Sequence, residues 1–313
     1  DGSITANEDV LSGSGDITVL ASGSIEFTAE ADIVTSLTGT IDLEATTGSI
    51  TLATDADQTT GSGDVRMLAG VDITLGGVIT TTGSVSLTTD TGSIFDGDSD
   101  GSVDIIATAL RIDAAIGAGV LGGSVNPIET TIDTLSARAT SGGINILETD
   151  TLIIDDTTAT IHRVAADASV SDVTDAVQSD VITTSGNGSI VIRVTTGDLT
   201  LNDGSAADDN TAISAHGTGN ILLETIDGSI TANEDVLSGS GDITVLASDS
   251  IEFTAEADIT TSLGGTIDLE ATTGSITLAT DADQTTGSGD IRMLAGVDIT
   301  LGGVITTTGS VSL

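Results

Sequence analysis

Apolar residues recur through the first third of the chain in short alternating runs that keep step with one another. One file opens with Ile4, Ile25, Ile50, Ile73 and Ile94, spaced 21, 25, 23 and 21 residues, and is followed two residues on by Ala6, Phe27, Leu52 and Leu75. A second file runs Ile17, Ile41, Val65, Val85 and Val103, each of the first four followed two residues on by Val19, Leu43, Met67 and Leu87. A looser third file contains Val10, Ile33, the region of Asp57, and Val78. Period-2 alternation is the pattern of a half-buried strand. Gly-containing turns (Gly13-Ser14-Gly15, Gly39, Gly61-Ser62-Gly63, Gly83) separate the runs. Rows of about 22 residues, each with two or three strands and glycine corners, predict an all-β chain wound as a parallel β-solenoid (β-helix). Each strand then pairs with its equivalent one coil on.

The outward positions fit such stacking. Thr18, Asp42, Arg66, Ser86 and Asp104 are expected to follow one another on the outer face of the second file. Stacked strands lie about 4.8 Å apart, a distance at which like charges repel and opposite charges attract. Arg66 is therefore expected over Asp42, and Arg292 over Asp268.

A longer period encloses the short one. Residues 1–87 return as residues 227–313 with four differences: Gly23/Asp249, Val34/Thr260, Thr38/Gly264 and Val65/Ile291. The chain reads as one 226-residue super-repeat (1–226) and the start of the next (227–313), in one continuous solenoid. Coils are regular over 1–110 and looser over 111–226, where Gly143–Ile146, Gly188–Ile190 and Gly197–Leu199 still read as coil strands. Residues 155–182 contain no glycine and are expected to leave the solenoid as an irregular or short helical excursion packed on its flank. Such a recurrence points to an array whose units dock on identical neighbours, and to a segment of something larger.

Composition narrows the class. Hydrophobic residues are 38% of the chain but aromatics only 1%, with no Trp or Tyr; this is too apolar for disorder and too poor in rings for an ordinary globular core. The formal charge is −42, and all six basic residues are arginines. That balance opposes nucleic acid and anionic membranes, which need basic patches, and favours solubility and cation uptake. Zero cysteines exclude disulfides and thiol chemistry. No apolar run approaches the roughly 18 residues of a membrane-spanning helix.

The G-[STDN]-[IV]-x-[LIV] strands, clearest in GSITLATDADQTTGSGDVRMLAGVDITL (48–75) and GGINILETDTLIIDD (142–156), resemble the filamentous haemagglutinin-type β-helix repeats of giant bacterial surface and adhesin-like proteins. The resemblance implies export to the cell surface, great length, and attachment or fibre and sheath building. It transfers no catalytic motif.

Few residues are candidates for chemistry. Asp96, Asp98, Asp100 and Asp104 follow the opening D-x-D-x-D-G of a calcium loop, but Ala107 stands where the bidentate Glu belongs. The loop reads either as a Ca²⁺ site, dockerin-like or between coils, or as an acidic turn. Gly97–Gly101 spells G-x-S-x-G around Ser99 without the strand-to-helix context of a nucleophile elbow. His162 and His216 have no H-x-H or cysteine partner, and Asn187-Gly188 reads first as a turn.

Three functions follow. The first is a structural element of a very long extracellular fibre, stalk or sheath on a bacterial surface, its partners being adjacent repeats of the same chain and laterally associated copies. The second is an adhesin engaging a cell-surface or glycan partner, with Ca²⁺ as its one candidate cofactor. The third, a polysaccharide-cleaving β-helix, lacks clustered catalytic residues and aromatic subsites, so no enzyme is expected.

Overall fold

The computed structural model of the chain describes residues 2–98, 101–206, 209–255 and 257–313. It is all-β, with no helix among the described residues, and its parallel strands stack as a β-solenoid of about 13 turns, about 24 residues apart. The chain divides into two units, residues 1–133 with 157–177, and residues 134–156 with 178–313.

In the first unit the predicted files are real ladders. Ile4 pairs with Ile25, Ile25 with Ile50, Ile50 with Ile73 and Ile73 with Ile94, all parallel. Ile25, Ile50, Ile73 and Ile94 are fully buried. Phe27, Leu52 and Leu75 point inward beside them. Each buried side chain of this size contributes about 1.5–3 kcal/mol relative to exposure, so the stack of isoleucines adds apolar attraction to the backbone ladders between coils. The second file runs Ile17, Ile41, Val65 and Val85, as its spacing predicts.

Three positions differ. Val85 pairs with Leu110, not Val103; the loop after Asp96 consumes the residues in between, and Val103 lies outside any strand. Arg111, not Asp104, consequently stacks on Ser86. The third file is Val10, Ile33, Gln58, Ile79 and Ile105: Gln58 falls in the expected region of Asp57, and Ile79 stands one residue on from the expected Val78.

In the second unit the same ladders run Leu152, Leu199, Ile230, Ile251, Ile276, Ile299 and Ile144, Ile190, Ile221, Ile243, Ile267, Ile291, Val311. The pairing of Leu199 with Ile230 carries the ladder from the first 226-residue period into the second without a change of register.

The corners explain the composition. Aspartates at strand entries accept backbone N–H groups from the next coil: Asp32 N–H donates to Asp9, Asp57 N–H to Asp32, and Val78 N–H to Asp57, at 2.9–3.1 Å. The second unit repeats this through Asp235, Asp258 and Asp283. Much of the acidic surplus therefore satisfies backbone donors that a turn would otherwise leave open. The glycines of one corner file, Gly188, Gly219, Gly241, Gly265 and Gly289, stack so closely that a Cβ on any of the last four would overlap the carbonyl oxygen of the glycine before it. Inward hydroxyls cap several corner carbonyls, as Thr60 and Thr81 cap Gly63 O at 2.6 and 2.7 Å.

The glycine-free excursion is a β-hairpin, not a helix. Its strands Thr160–Val164 and Val170–Thr174 pair antiparallel. The turn places Ala168 at φ 64°, with the Asp167 carboxylate accepting both the N–H and the hydroxyl of Ser169. The excursion is also shorter than expected, because Val181–Thr183 is already a coil strand.

The hairpin packs on the outer face formed by strands Ile17–Ala21, Ile41–Ala45 and Val65–Ala69. Alternate backbone N–H groups of Thr160, His162 and Val164 donate to Asp64 Oδ2, Thr40 Oγ1 and Thr18 Oγ1, one acceptor per coil, at 2.7, 2.9 and 3.0 Å. Arg163 donates from Nε to Asp42 (2.7 Å) and from Nη2 to Glu44 (2.6 Å). Arg66 lies 3.0 Å from Asp42, as its spacing predicts, and 3.0 Å from Asp175 of the hairpin. The fully buried Asp42 is thus held by two guanidinium groups, the compensation that a buried charge requires.

Candidate functional site

The acidic loop after Ile94 puts carboxylates where the solenoid elsewhere puts leucine. Asp96 ends the strand Ile94–Asp96 and pairs with Leu75, so it takes the inward position that Leu52 and Leu75 fill in earlier coils. Asp104 immediately precedes the strand Ile105–Ala114. Glu129, near the start of strand Ile128–Ala139, comes from the following coil. Oxygens of Asp96, Asp104 and Glu129 lie within 4.8 Å of one another, and all three residues are buried.

Backbone bonds fix this geometry. Glu129 N–H donates to Asp104 Oδ2 at 2.9 Å, and Asp104 N–H donates to Glu129 O at 2.9 Å. Asp98 donates its N–H to Asp96 Oδ1 (2.9 Å), and the Asn126 side chain donates to Asp96 O (3.3 Å). Glu129 Oε2 is buried without a hydrogen-bond partner among the described residues. Burial pushes the carboxyls of Asp104 and Glu129 well above their usual range; the neighbouring Asp96 adds to both shifts, opposed by the hydrogen bonds they receive.

Three converging buried carboxylates require either protons or a cation. Hard oxygen donors suit Ca²⁺, whose ligands lie at about 2.3–2.6 Å, so oxygens up to about twice that distance apart can share one ion. Of the sequence candidates, Asp96 and Asp104 meet here. Asp98 braces Asp96 through its backbone and is not one of the three converging carboxylates. Asp100 and Ser99 lie outside the described residues. Glu129 has no place in a linear calcium-loop pattern. Its signal in the sequence is its distance from Asp104, 25 residues, one coil length in this chain.

A second group, Asp180, Asp203 and Asp209, also brings carboxylate oxygens within 4.8 Å. Burial raises the Asp180 carboxyl to about 6, with Asp203 and Asp209 adding to the shift. Asp180 Oδ1 and Asp203 Oδ1 have no hydrogen-bond partner among the described residues. Arg138 lines the same surface depression, and its Nε is buried with no hydrogen-bond partner among the described residues. Asp180 immediately precedes the strand Val181–Thr183, whereas Asp203 and Asp209 share the single loop between Leu199–Leu201 and Thr211–Ala215.

The remaining candidates have structural places. His162 lies on the hairpin with Nδ1 3.2 Å from Asp16. His216 N–H donates to Thr183. Asn187 Oδ1 accepts the Thr218 N–H, a turn role. The chain matches no family model, no curated protein and no solved structure.

Proposed function

We propose that this chain is a structural segment of a long tandem-repeat β-solenoid, serving as a fibre, stalk or sheath element at a bacterial cell surface. One observation carries the reading. The ladder crosses from one 226-residue period to the next with the pairing of Leu199 and Ile230, and continues inside the second period with Ile230 on Ile251, as Ile4 lies on Ile25 in the first. Repetition therefore lengthens the ladder without introducing a new interface. Parallel backbone bonds and an Ile/Val/Leu core make each coil depend on its neighbours, so the role is mechanical. The resemblance to filamentous haemagglutinin-type repeats supports the surface location, and the lysine-free acidic exterior suits an exposed, soluble element.

Electron microscopy of arrays with one, two and four periods tests the reading. At about 24 residues per turn and about 4.8 Å between turns, each added period is expected to lengthen a rod by about 45 Å. Globules that separate like beads at each period would overturn it. Short particles that bind a glycan array would favour the adhesin reading instead.

A further inference from the structure

The loop between strands Leu199–Leu201 and Thr211–Ala215 carries carboxylates whose oxygens are used unequally. Asp156, reaching in from a neighbouring coil, spends both of its oxygens on this loop: Oδ2 accepts the Ser205 N–H and hydroxyl, and Oδ1 accepts the Ala206 N–H. The loop's own acids spend one oxygen each. Asp203 Oδ2 accepts the Asn210 N–H at 2.9 Å, and Asp209 Oδ1 accepts the Thr211 N–H at 3.1 Å. Asp203 Oδ1 is left buried with no hydrogen-bond partner among the described residues.

Asp180 meets them from the next strand. It stands immediately before Val181–Thr183, which pairs with Ala137–Ala139 on one side and with Ile213 and Ser214 on the other, so coils of the chain enclose the group in both directions. Asp180 is only 2% exposed. Its Oδ2 accepts the Ser179 hydroxyl at 2.9 Å, which leaves Oδ1 as the oxygen it has to offer, buried and without a partner among the described residues. A buried carboxylate oxygen with no donor is costly unless something positive fills the place. Arg138 is not that partner. The other five arginines each pair with a carboxylate, whereas Arg138 lines the same depression as Asp180 and Asp209 with no ion pair among the described residues.

We infer that Asp180, Asp203 and Asp209 form a Ca²⁺ site that fastens the loop to the strand Val181–Thr183. Their oxygens lie within 4.8 Å of one another, and Ca²⁺ takes oxygen ligands at about 2.3–2.6 Å, so one ion reaches all three. One Ca²⁺ and the Arg138 guanidinium together balance the three carboxylates. The depression, of about 390 Å³, has room for the waters that complete a shell of about six to eight oxygens. With only three protein ligands, Asp209 among them exposed, the site belongs at the weak end of extracellular calcium sites, about 1 mM. The site and the fibre reading are independent, because the ladder register involves none of these carboxylates.

Amide exchange of the full chain tests the site, with CaCl₂ as the probe in buffer first stripped of metal. At about 10 mM Ca²⁺, about tenfold above the weak end of extracellular sites, exchange over residues 202–211 should slow about tenfold. D203N and D209N each keep a carbonyl oxygen for the backbone bond already made and give up the second carboxylate oxygen. The loop should therefore stay folded in both, and the slowing should fall to about twofold or less. D104N, in the separate group with Asp96 and Glu129, should leave the slowing intact. Exchange over 202–211 that ignores Ca²⁺ would overturn the inference, as would full slowing in a D203N/D209N double variant. Equal slowing in NaCl of matched ionic strength would also overturn it, because the effect would then be screening of the chain's general acidity.

Discussion

Asp104 and Glu129, one coil apart, exchange backbone bonds in both directions: Glu129 N–H reaches the Asp104 carboxylate at 2.9 Å and Asp104 N–H reaches the Glu129 carbonyl at 2.9 Å. The pair is thereby locked with its side chains converging on Asp96. Burial pushes the Asp104 carboxyl up to about 8 and that of Glu129 up to about 7. The folded chain therefore holds protons that the unfolded chain has released. The stability these groups contribute is complete below the ordinary carboxylate range near pH 4 and is lost as pH rises through 7 and 8. Urea midpoints measured in metal-free buffer between pH 5 and 9 should fall with rising pH, and D104N should flatten the fall. An unchanged slope in D104N would place the effect in the general acidity of the chain.

A cation can replace the protons. With about 1 mM Ca²⁺, an affinity range used by extracellular modules, the melting temperature should rise at pH 8 and rise less at pH 5, where protons compete. At the tight end of that range about 1 mM is a tenfold excess over Kd, which corresponds to about 1.4 kcal/mol. D104N and E129Q should each abolish the response. If EDTA and Ca²⁺ leave the melting temperature equal at pH 8, the three carboxylates are neutralised by protons alone.

How far these features were legible follows from what keeps a constant step. The file Ile4, Ile25, Ile50, Ile73 and the pairing of Arg66 with Asp42 could be placed because strand alternation and coil length are both regular over 1–90. The assignment failed at Val103, because a loop of unusual length restarts the coil late and puts Leu110 over Val85. The hairpin's position is legible in the sequence but its form is not: its turn places Ala168 at positive φ where glycine is the usual signal, so a glycine-free segment conceals a turn. Glu129 was overlooked because a calcium loop is read along the chain, whereas a solenoid assembles its sites across coils.

The third file contains an exception to its own chemistry. Gln58 lies between Ile33 and Ile79, and Gln284 between Ile259 and Ile305. Both are fully buried, and both side-chain amides lack a hydrogen-bond partner among the described residues. An unsatisfied buried amide costs about 1–3 kcal/mol. Q58L and Q284L, of similar volume, should each stabilise the chain by about 1–2 kcal/mol in urea unfolding. Equal destabilisation by both would mean that the amides are hydrogen-bonded in the folded chain and that leucine forfeits those bonds.

The glycine corner offers a test with an internal control. A Cβ on Gly241 would overlap the Gly219 carbonyl oxygen in the neighbouring coil, a backbone atom that cannot rotate away. Gly264 meets nothing within 4 Å, and its counterpart in the first period is Thr38. G241A should therefore cost about 1–3 kcal/mol or more, as overpacking does, and should raise amide exchange in the flanking coils. G264T should stay within about 0.5 kcal/mol of the parent chain, as an exposed substitution does. The contrast separates two explanations for the glycines. If both substitutions cost the same, glycine serves the corners by backbone flexibility; if only G241A is costly, it serves them by letting one coil rest directly on the next.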